Sequence, residues 1–305
     1  MKRLILGPGG IFFYCILGHV YRLHLDGHLN DLEEISGASA GSLTAFLWTL
    51  GKSNIFDYVF TQDLDFKINP LQLMKKRGLV DSKRFREKLM HLCVSVFGFE
   101  DITFKEHFER TGIILHVSTF SLFKRTNVYY SVHTSPEMSV LDAITMSCAI
   151  PVYFTPFKDH VDGGLIEGIP VTPFIGREDS VYAVTMDKTY PDSHTESFGQ
   201  YVYLLCSVIM NHRWTHEVQT KYLFVPSDIN PVSFNIPKID RFKLFSSGFS
   251  SAPLYTCKSS LESQCDQDPM PSEEHTLDQL HHEPQGASVV YDTEPEGNHR
   301  DDADR

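Results

Sequence analysis

A chain of 305 residues with 42% apolar side chains is long enough to bury one sizeable core, so the composition describes a globular protein. Its formal charge of -12 is unevenly placed: from Cys257 onward there are 3 Lys or Arg against 13 Asp or Glu, which leaves 24 basic and 26 acidic residues, a net -2, in positions 1–256. A body this close to neutral excludes a nucleic-acid footprint, yet it can still approach an anionic membrane surface.

Leu4-Ile5-Leu6 is a short apolar run closed by glycines, which predicts a buried strand. Phe13, Ile16, Leu17, Val20, Tyr21 and Leu23 then recur at helical spacing as far as Asp26-Gly27. Leu32 to Ile35 predicts a second strand that runs straight into Ser39, after which Leu43, Phe46, Leu47 and Leu50 resume the helical period. This order favours a parallel sheet covered by helices. From about 54 to 108 the pattern is mainly helical, with Asp81-Ser82-Lys83-Arg84-Phe85 offering an N-cap for a helix that ends near Phe97. Ile113 to Phe120 and Thr126 to Ser131, rich in β-branched and aromatic residues, predict two neighbouring strands. Val140 to Cys148 predicts a helix, Pro151 to Pro156 an irregular stretch, and His160-Val161 a brief strand ending at Asp162-Gly163-Gly164. Val181 to Met186 predicts a strand, Phe198 to Glu217 a long helix, and Tyr222 to Val225 a late strand. Past about Tyr255, polar and acidic residues dominate and cannot bury enough surface to offset their ordering entropy. The expected organisation is one domain over 1–255 and a disordered acidic tail over 256–305, suited to screening an interface or meeting a protein partner.

The six cysteines, Cys15, Cys93, Cys148, Cys206, Cys257 and Cys265, form no CxxC pair, and three lie within apolar runs. They read as buried free thiols of a reducing compartment. Gly7-Pro8-Gly9-Gly10 interrupts the N-terminal apolar stretch too early for a signal peptide, and later apolar runs are too short to span a bilayer. The expected location is cytoplasmic, with peripheral contact to a membrane.

The chemistry concentrates in Gly37-Ala38-Ser39-Ala40-Gly41. A GxSxG turn between a strand and a helix is so tight that glycines must flank the serine, which exposes its hydroxyl and turns the next N–H toward a forming oxyanion. Gly9-Gly10 ends the preceding strand, where backbone N–H groups at a helix start stabilise negative charge. Asp162, followed by two glycines, sits in a turn that lets a carboxylate approach another strand end. Nucleophile, base and oxyanion donors are the minimum for acyl transfer. The candidate site is therefore Ser39 and Asp162, with Gly9, Gly10 and Ala40 as oxyanion donors and Gly37 and Gly41 shaping the elbow.

Gly9-Gly10 through Gly18, Ile35 to Ser42, Asp142-Ala143-Ile144 with Ser147-Cys148-Ala149-Ile150-Pro151, and Val161 to Gly164 with Pro170-Val171 together resemble the patatin-like phospholipases over about residues 1–175. The resemblance implies a three-layer α/β sandwich with a mainly parallel central sheet flanked by helices. It also implies a Ser-Asp dyad without a catalytic histidine, and calcium-independent hydrolysis of fatty acyl esters from phospholipids or neutral glycerolipids. Substrate would then come from a membrane or lipid-droplet surface, with no cofactor and no metal. The chain departs from the family pattern at Phe12, where a basic residue is usual, at Pro8, where the loop's first glycine is usual, and at Gly168, where asparagine is common.

Two other readings stand beside this one. An α/β-hydrolase triad would need a histidine downstream of the acid, and His194, His212 and His216 are the choices before the tail, with His160 a bystander. A catalytically weakened scaffold serving as a lipid-binding or interaction module is the non-enzymatic alternative, and Phe12 and Gly168 favour it. Lys75-Lys76-Arg77 and Lys83-Arg84 with Arg86 are basic clusters for which a solvated helix face is the default and phosphate headgroups the alternative. Trp214 reads as packing before it reads as a membrane anchor, and His275 with His281-His282 carries no metal assignment.

Overall fold

A computed structural model describes residues 1–51, 66–187, 201, 218–224, 229 and 233–251. The predicted helix over 198–217, with His212, Trp214 and His216, lies almost wholly outside the described residues, as do His194, Cys206 and the acidic tail. Everything described falls within the first of two compact units, Met1–Tyr255.

The centre is a seven-stranded sheet. β1 (Arg3–Leu6) pairs in parallel with β2 (Glu34–Ala38) on one side and β8 (Val181–Met186) on the other. β4 (Ile114–Ser121) continues the parallel set beyond β2, and β9 (Gln219–Leu223) continues it beyond β8. β5 (Thr126–Tyr130) and β7 (His160–Asp162) both pair antiparallel with β4. β2 and β8 are buried along their whole length, as expected of parallel strands covered on both faces.

Alternation divides the sheet's two faces. Leu4, Leu6, Ile35, Leu115 and Val117 join the large core beneath α1 (Phe13–Leu25) and α2 (Ala40–Gly51). Ile5, Val181 and Ala183 point the other way, against Ile169, Val171 and Phe174. The architecture is thus α/β, a mainly parallel central sheet flanked by helices.

Helices α3 (Pro70–Lys76), α4 (Ser82–Phe97), α5 (Phe104–Thr111) and α6 (Val140–Ser147) lie between β2 and β7 in the chain. Asp81 caps α4 through the Lys83 N–H, as its sequence predicts, and Gly98 closes the helix in the left-handed conformation. Two elements depart from expectation. The Pro-flanked stretch 151–156 contains β6 (Val152–Phe154), which pairs in parallel with β3 (Gly78–Val80) as a separate two-stranded sheet. A helix without sequence warning, α7 (Lys238–Ser250), packs on α1. Its buried face reads Arg241, Leu244, Phe245, Gly248, so helical spacing is present but an arginine and a glycine hide its apolar signature. Gly248 is required there because a Cβ would collide with the Cys15 carbonyl of α1.

Candidate active site

The site forms where the parallel strands end. β2 stops at Ala38, paired with Ser118, and the chain turns into α2 through Ser39 with φ +53°. This left-handed backbone is costly for a residue with a Cβ. It persists because the turn is pinned from several sides. The Ser39 N–H donates to Ser147 Oγ at 2.8 Å, Ser147 Oγ donates to the Ser118 carbonyl at 2.7 Å, and Ser42 Oγ donates to the Ser39 carbonyl at 2.7 Å. Gly41 packs on the Leu6 carbonyl and Gly37 on the Ser42 backbone, each too closely to admit a Cβ.

Strand register explains how Asp162 reaches Ser39. β5 occupies one edge of β4 from Val117 to Ser121, so β2 and β7 share the opposite edge. β2 covers that edge as far as Ser118, and β7 arrives from the opposite direction with Asp162 level with Thr119. The two strands meet end to end, and the residue after Ala38 faces the last residue of β7. The Asp162 carboxylate lies level with the turn that carries Ser39 and accepts the Gly164 N–H at 2.8 Å. Gly163 is obligatory in this turn because a Cβ would strike the Ser118 carbonyl. Asn127 on β5 donates to the Gly163 carbonyl at 3.0 Å and steadies the turn from outside.

Burial raises the Asp162 carboxyl from its ordinary 3.8 to about 7, while the Ser39 and Gly164 hydrogen bonds oppose the rise. Desolvation penalises the charged form, and two donors do not offset it. Cys148 lies beside this carboxylate, and burial first and the Asp162 charge second push its thiol well above the usual range, so it is held as an inert SH. Cys15 and Cys93 are likewise buried and free.

The glycine loop after β1 completes the crevice. Pro8 packs against Gly164, and Gly7 lies under Gly168, so the loop is held against the Asp162 turn on one side and the elbow on the other. Gly10 adopts φ +54° and opens a 3-10 turn, and Ala40 opens α2. Their N–H groups are among the first-turn donors that a helix leaves without an internal acceptor. Gly9 precedes them as the cap of the 3-10 turn. Ser39, Ala40, Gly37 and Gly41 of the elbow and Asp162 of the facing turn are therefore brought together at the carboxyl edge where open parallel sheets present their ligands, and the loop that carries Gly9 and Gly10 meets both through Gly7 and Pro8.

Phe12 is buried in the core instead of lining the crevice. Among the described residues no histidine is hydrogen-bonded to Asp162: His160 Nε2 is engaged by Tyr130 Oη at 3.1 Å and Nδ1 by the Lys158 carbonyl at 2.7 Å. Sequence reasoning named Ser147 only as part of a motif and assigned it no task. Arg86, read as part of a basic cluster, pairs with Asp101 at 2.5 Å and with Asp142, which also binds Lys158. That junction ties α4 to the helix carrying Ser147.

A mainly parallel sheet with its reactive groups gathered at the carboxyl edge, behind a serine elbow and a buried aspartate, defines the class of α/β protein. The model of the patatin-like phospholipase family matches residues 4–175, more than half of the chain, and the protein belongs to that family. A probable lipid hydrolase, 463L, of invertebrate iridescent virus 6 is 29% identical over 182 residues, covering 56% of this chain and 62% of that protein. Triacylglycerol lipase ptl3 of Schizosaccharomyces pombe is 27% identical over 248 residues, covering 76% of this chain and 47% of the lipase. The chain thus spans less than two thirds of either relative. Among solved structures, VipD from Legionella pneumophila aligns with a TM-score of 0.45 at 15% identity, covering 81% of this chain and 67% of that one.

Proposed function

We propose that the protein hydrolyses fatty acyl esters of phospholipids or neutral glycerolipids through a Ser39-Asp162 dyad. The observation that carries this reading is the strand register that sets Ser39, the residue after β2, against the buried Asp162 at the end of β7. An aspartate at 3.8 is a poor base for an alcohol, whereas one at about 7 is matched to work near neutral pH. Family membership and the printed names of the lipid hydrolase and the lipase support the substrate class.

In this reading Ser39 Oγ attacks the ester carbonyl carbon while Asp162 takes the hydroxyl proton. The carbonyl electron pair moves onto oxygen, where the N–H groups of Gly9, Gly10 and Ala40 hold it. Collapse breaks the ester C–O bond, and the glycerol oxygen leaves with the proton returned from Asp162. Water, deprotonated by Asp162, then attacks the acyl-Ser39 carbonyl; collapse breaks the acyl C–Oγ bond, Asp162 returns the proton to Ser39 Oγ, and the fatty acid is released. Every step uses groups of this chain, so chelating calcium should leave the rate unchanged. Among the described residues no helix is long and apolar enough to cross a membrane; substrate would be reached at a lipid surface.

The test is active-site labelling with a fluorophosphonate, paired with fatty-acid release from mixed phospholipid and triglyceride vesicles. Labelling at Ser39, and loss of both label and turnover in a folded Ser39→Ala protein, are expected. A folded wild-type protein that takes no label would instead fit a lipid-binding or interaction module, the reading that Phe12 and Gly168 favour.

A further inference from the structure

Three large apolar side chains among the described residues have more than four-fifths of their surface exposed: Phe123 at 90%, Met74 at 89% and Leu71 at 84%. Single exposed apolar residues are ordinary on a protein surface and need no explanation. These three are not scattered. Leu71 and Met74 stand on α3, a helix with no buried residue at all, and Phe123 stands beside exposed Leu122 at the tip of the β4-β5 hairpin.

Both elements are linked to the strand ends that hold Ser39 and Asp162. β4 runs parallel to β2 and passes the level of Ser39 by two residues before turning, so the hairpin turn begins roughly 7 Å beyond the nucleophile. α3 leads directly into β3, whose Gly78 pairs with Val152, and three residues before Val152 the Ala149 carbonyl accepts the Asp162 N–H at 3.0 Å. α3 therefore joins the crevice wall within a few residues of the dyad.

Cations accompany the apolar groups at both places. Lys75 and Arg77 follow Met74, are exposed, and form no ion pair among the described residues; Lys124 and Arg125 follow Phe123, likewise exposed and without an ion pair there. Lys76 is already held by Asp81 at 3.1 Å. Apolar side chains interleaved with unpaired cations are the chemistry of an interfacial segment, in which the former enter the acyl boundary and the latter meet phosphate and carboxylate headgroups.

We infer that α3 and the β4-β5 hairpin tip form a two-point docking surface for an anionic lipid bilayer, which seats the Ser39 crevice on the layer that holds its substrate. The inference rests on the proposed lipid-hydrolase reading for its purpose, and on exposure, position and charge for its location. The far end of the fold supplies the control. α1 starts beside the glycine loop and runs thirteen residues, about 20 Å, before ending at exposed Leu25.

The experiment uses the full chain with phosphatidylcholine vesicles, with and without phosphatidylserine, read by co-sedimentation, alongside turnover of a monomeric short-chain ester. Wild type should bind the phosphatidylserine vesicles more tightly. Leu71→Ser with Met74→Ser, and Leu122→Ser with Phe123→Ser, should each weaken binding about tenfold or more. Lys75→Gln with Arg77→Gln should weaken binding to anionic vesicles about tenfold and to neutral vesicles hardly at all. Leu25→Ser should bind as wild type, and all these variants should keep soluble-ester turnover. Variants of α3 and the hairpin that bind as wild type, or a Leu25→Ser loss of the same size, would overturn the docking surface. So would a wild-type dimer that ignores vesicles and dissociates in the α3 and hairpin variants. Vesicle binding lost in the α3 and hairpin variants, with no ester turned over by any protein, would leave docking standing while the catalytic reading fails.

Discussion

Asp162→Asn should stabilise the folded protein above neutral pH while abolishing turnover. The folded carboxyl holds its proton up to about 7 and the unfolded one only to 3.8. Between those values the folded chain binds more protons, so stability contributed by the neutral form is fully present below 3.8 and is lost as pH rises through 7. The whole interval corresponds to about 4 kcal/mol, an upper bound on the cost of keeping this carboxylate ionised in its buried turn at pH 8. Asparagine has the same shape, keeps an oxygen for the Gly164 N–H, and carries no charge. Its amide introduces N–H groups with only the Ser39 oxygen at hand, which costs about 1–3 kcal/mol. A net gain of up to about 1–3 kcal/mol at pH 8 and a loss of about 1–3 kcal/mol at pH 4 follow from these terms. Urea unfolding of parent and variant at the two pH values measures it, and lipid hydrolysis at pH 8 should fall about a thousandfold. A variant less stable than the parent at pH 8, or equally shifted at both pH values, would refute the assignment of a buried, strained charge to Asp162.

Three further outcomes follow from the same geometry. The rate of soluble-ester hydrolysis should rise with pH through a single ionisation near 7 as Asp162 loses its proton, and a profile flat from pH 5 to 8 would contradict this. Ser39→Gly should be more stable than Ser39→Ala by about 1 kcal/mol in thermal unfolding, because φ +53° strains any residue with a Cβ; equal stability would show that the elbow relaxes freely. Ser147→Ala strips the Ser39 N–H of its acceptor and should cost about 1–3 kcal/mol in denaturant unfolding. It should also lower kcat about tenfold to a hundredfold with little change in KM, as a displaced nucleophile does; a change confined to KM would assign Ser147 another task.

The elements of the site were legible in the chain because their constraints are local. Gly37 and Gly41 flank Ser39 since the turn admits no Cβ beside it, and Gly163 follows Asp162 for the same reason, so the steric requirement is written in residue identity. Strands β1, β4 and β8 were legible from continuous apolar or β-branched runs, as buried parallel strands must be, whereas β2 runs over Glu34–Ala38 instead of the expected 32–35 because its polar and small residues carry no such run. β6 was not, because Pro151 and Pro156 argue against a strand and its pairing partner β3 is more than seventy residues away. α7 was hidden because Arg241 and Gly248 occupy its buried face, and only the approach of α1 explains them.

The sequence by itself determined which residues are the candidates for the chemistry, namely a serine in a glycine-bounded turn, an aspartate before two glycines, and a glycine loop after the first strand. The tertiary structure decided that the serine and the aspartate stand together. β4 outruns β2 by three residues, β7 fills the vacated edge from the opposite direction, and Ser39 meets Asp162 where the two strands abut. The proton affinity of Asp162 was decided there too, because desolvation is a property of the atoms that surround a carboxylate and not of its neighbours in the chain. The exposure of Leu71, Met74 and Phe123 is likewise invisible along the sequence, where an apolar residue reads as core by default.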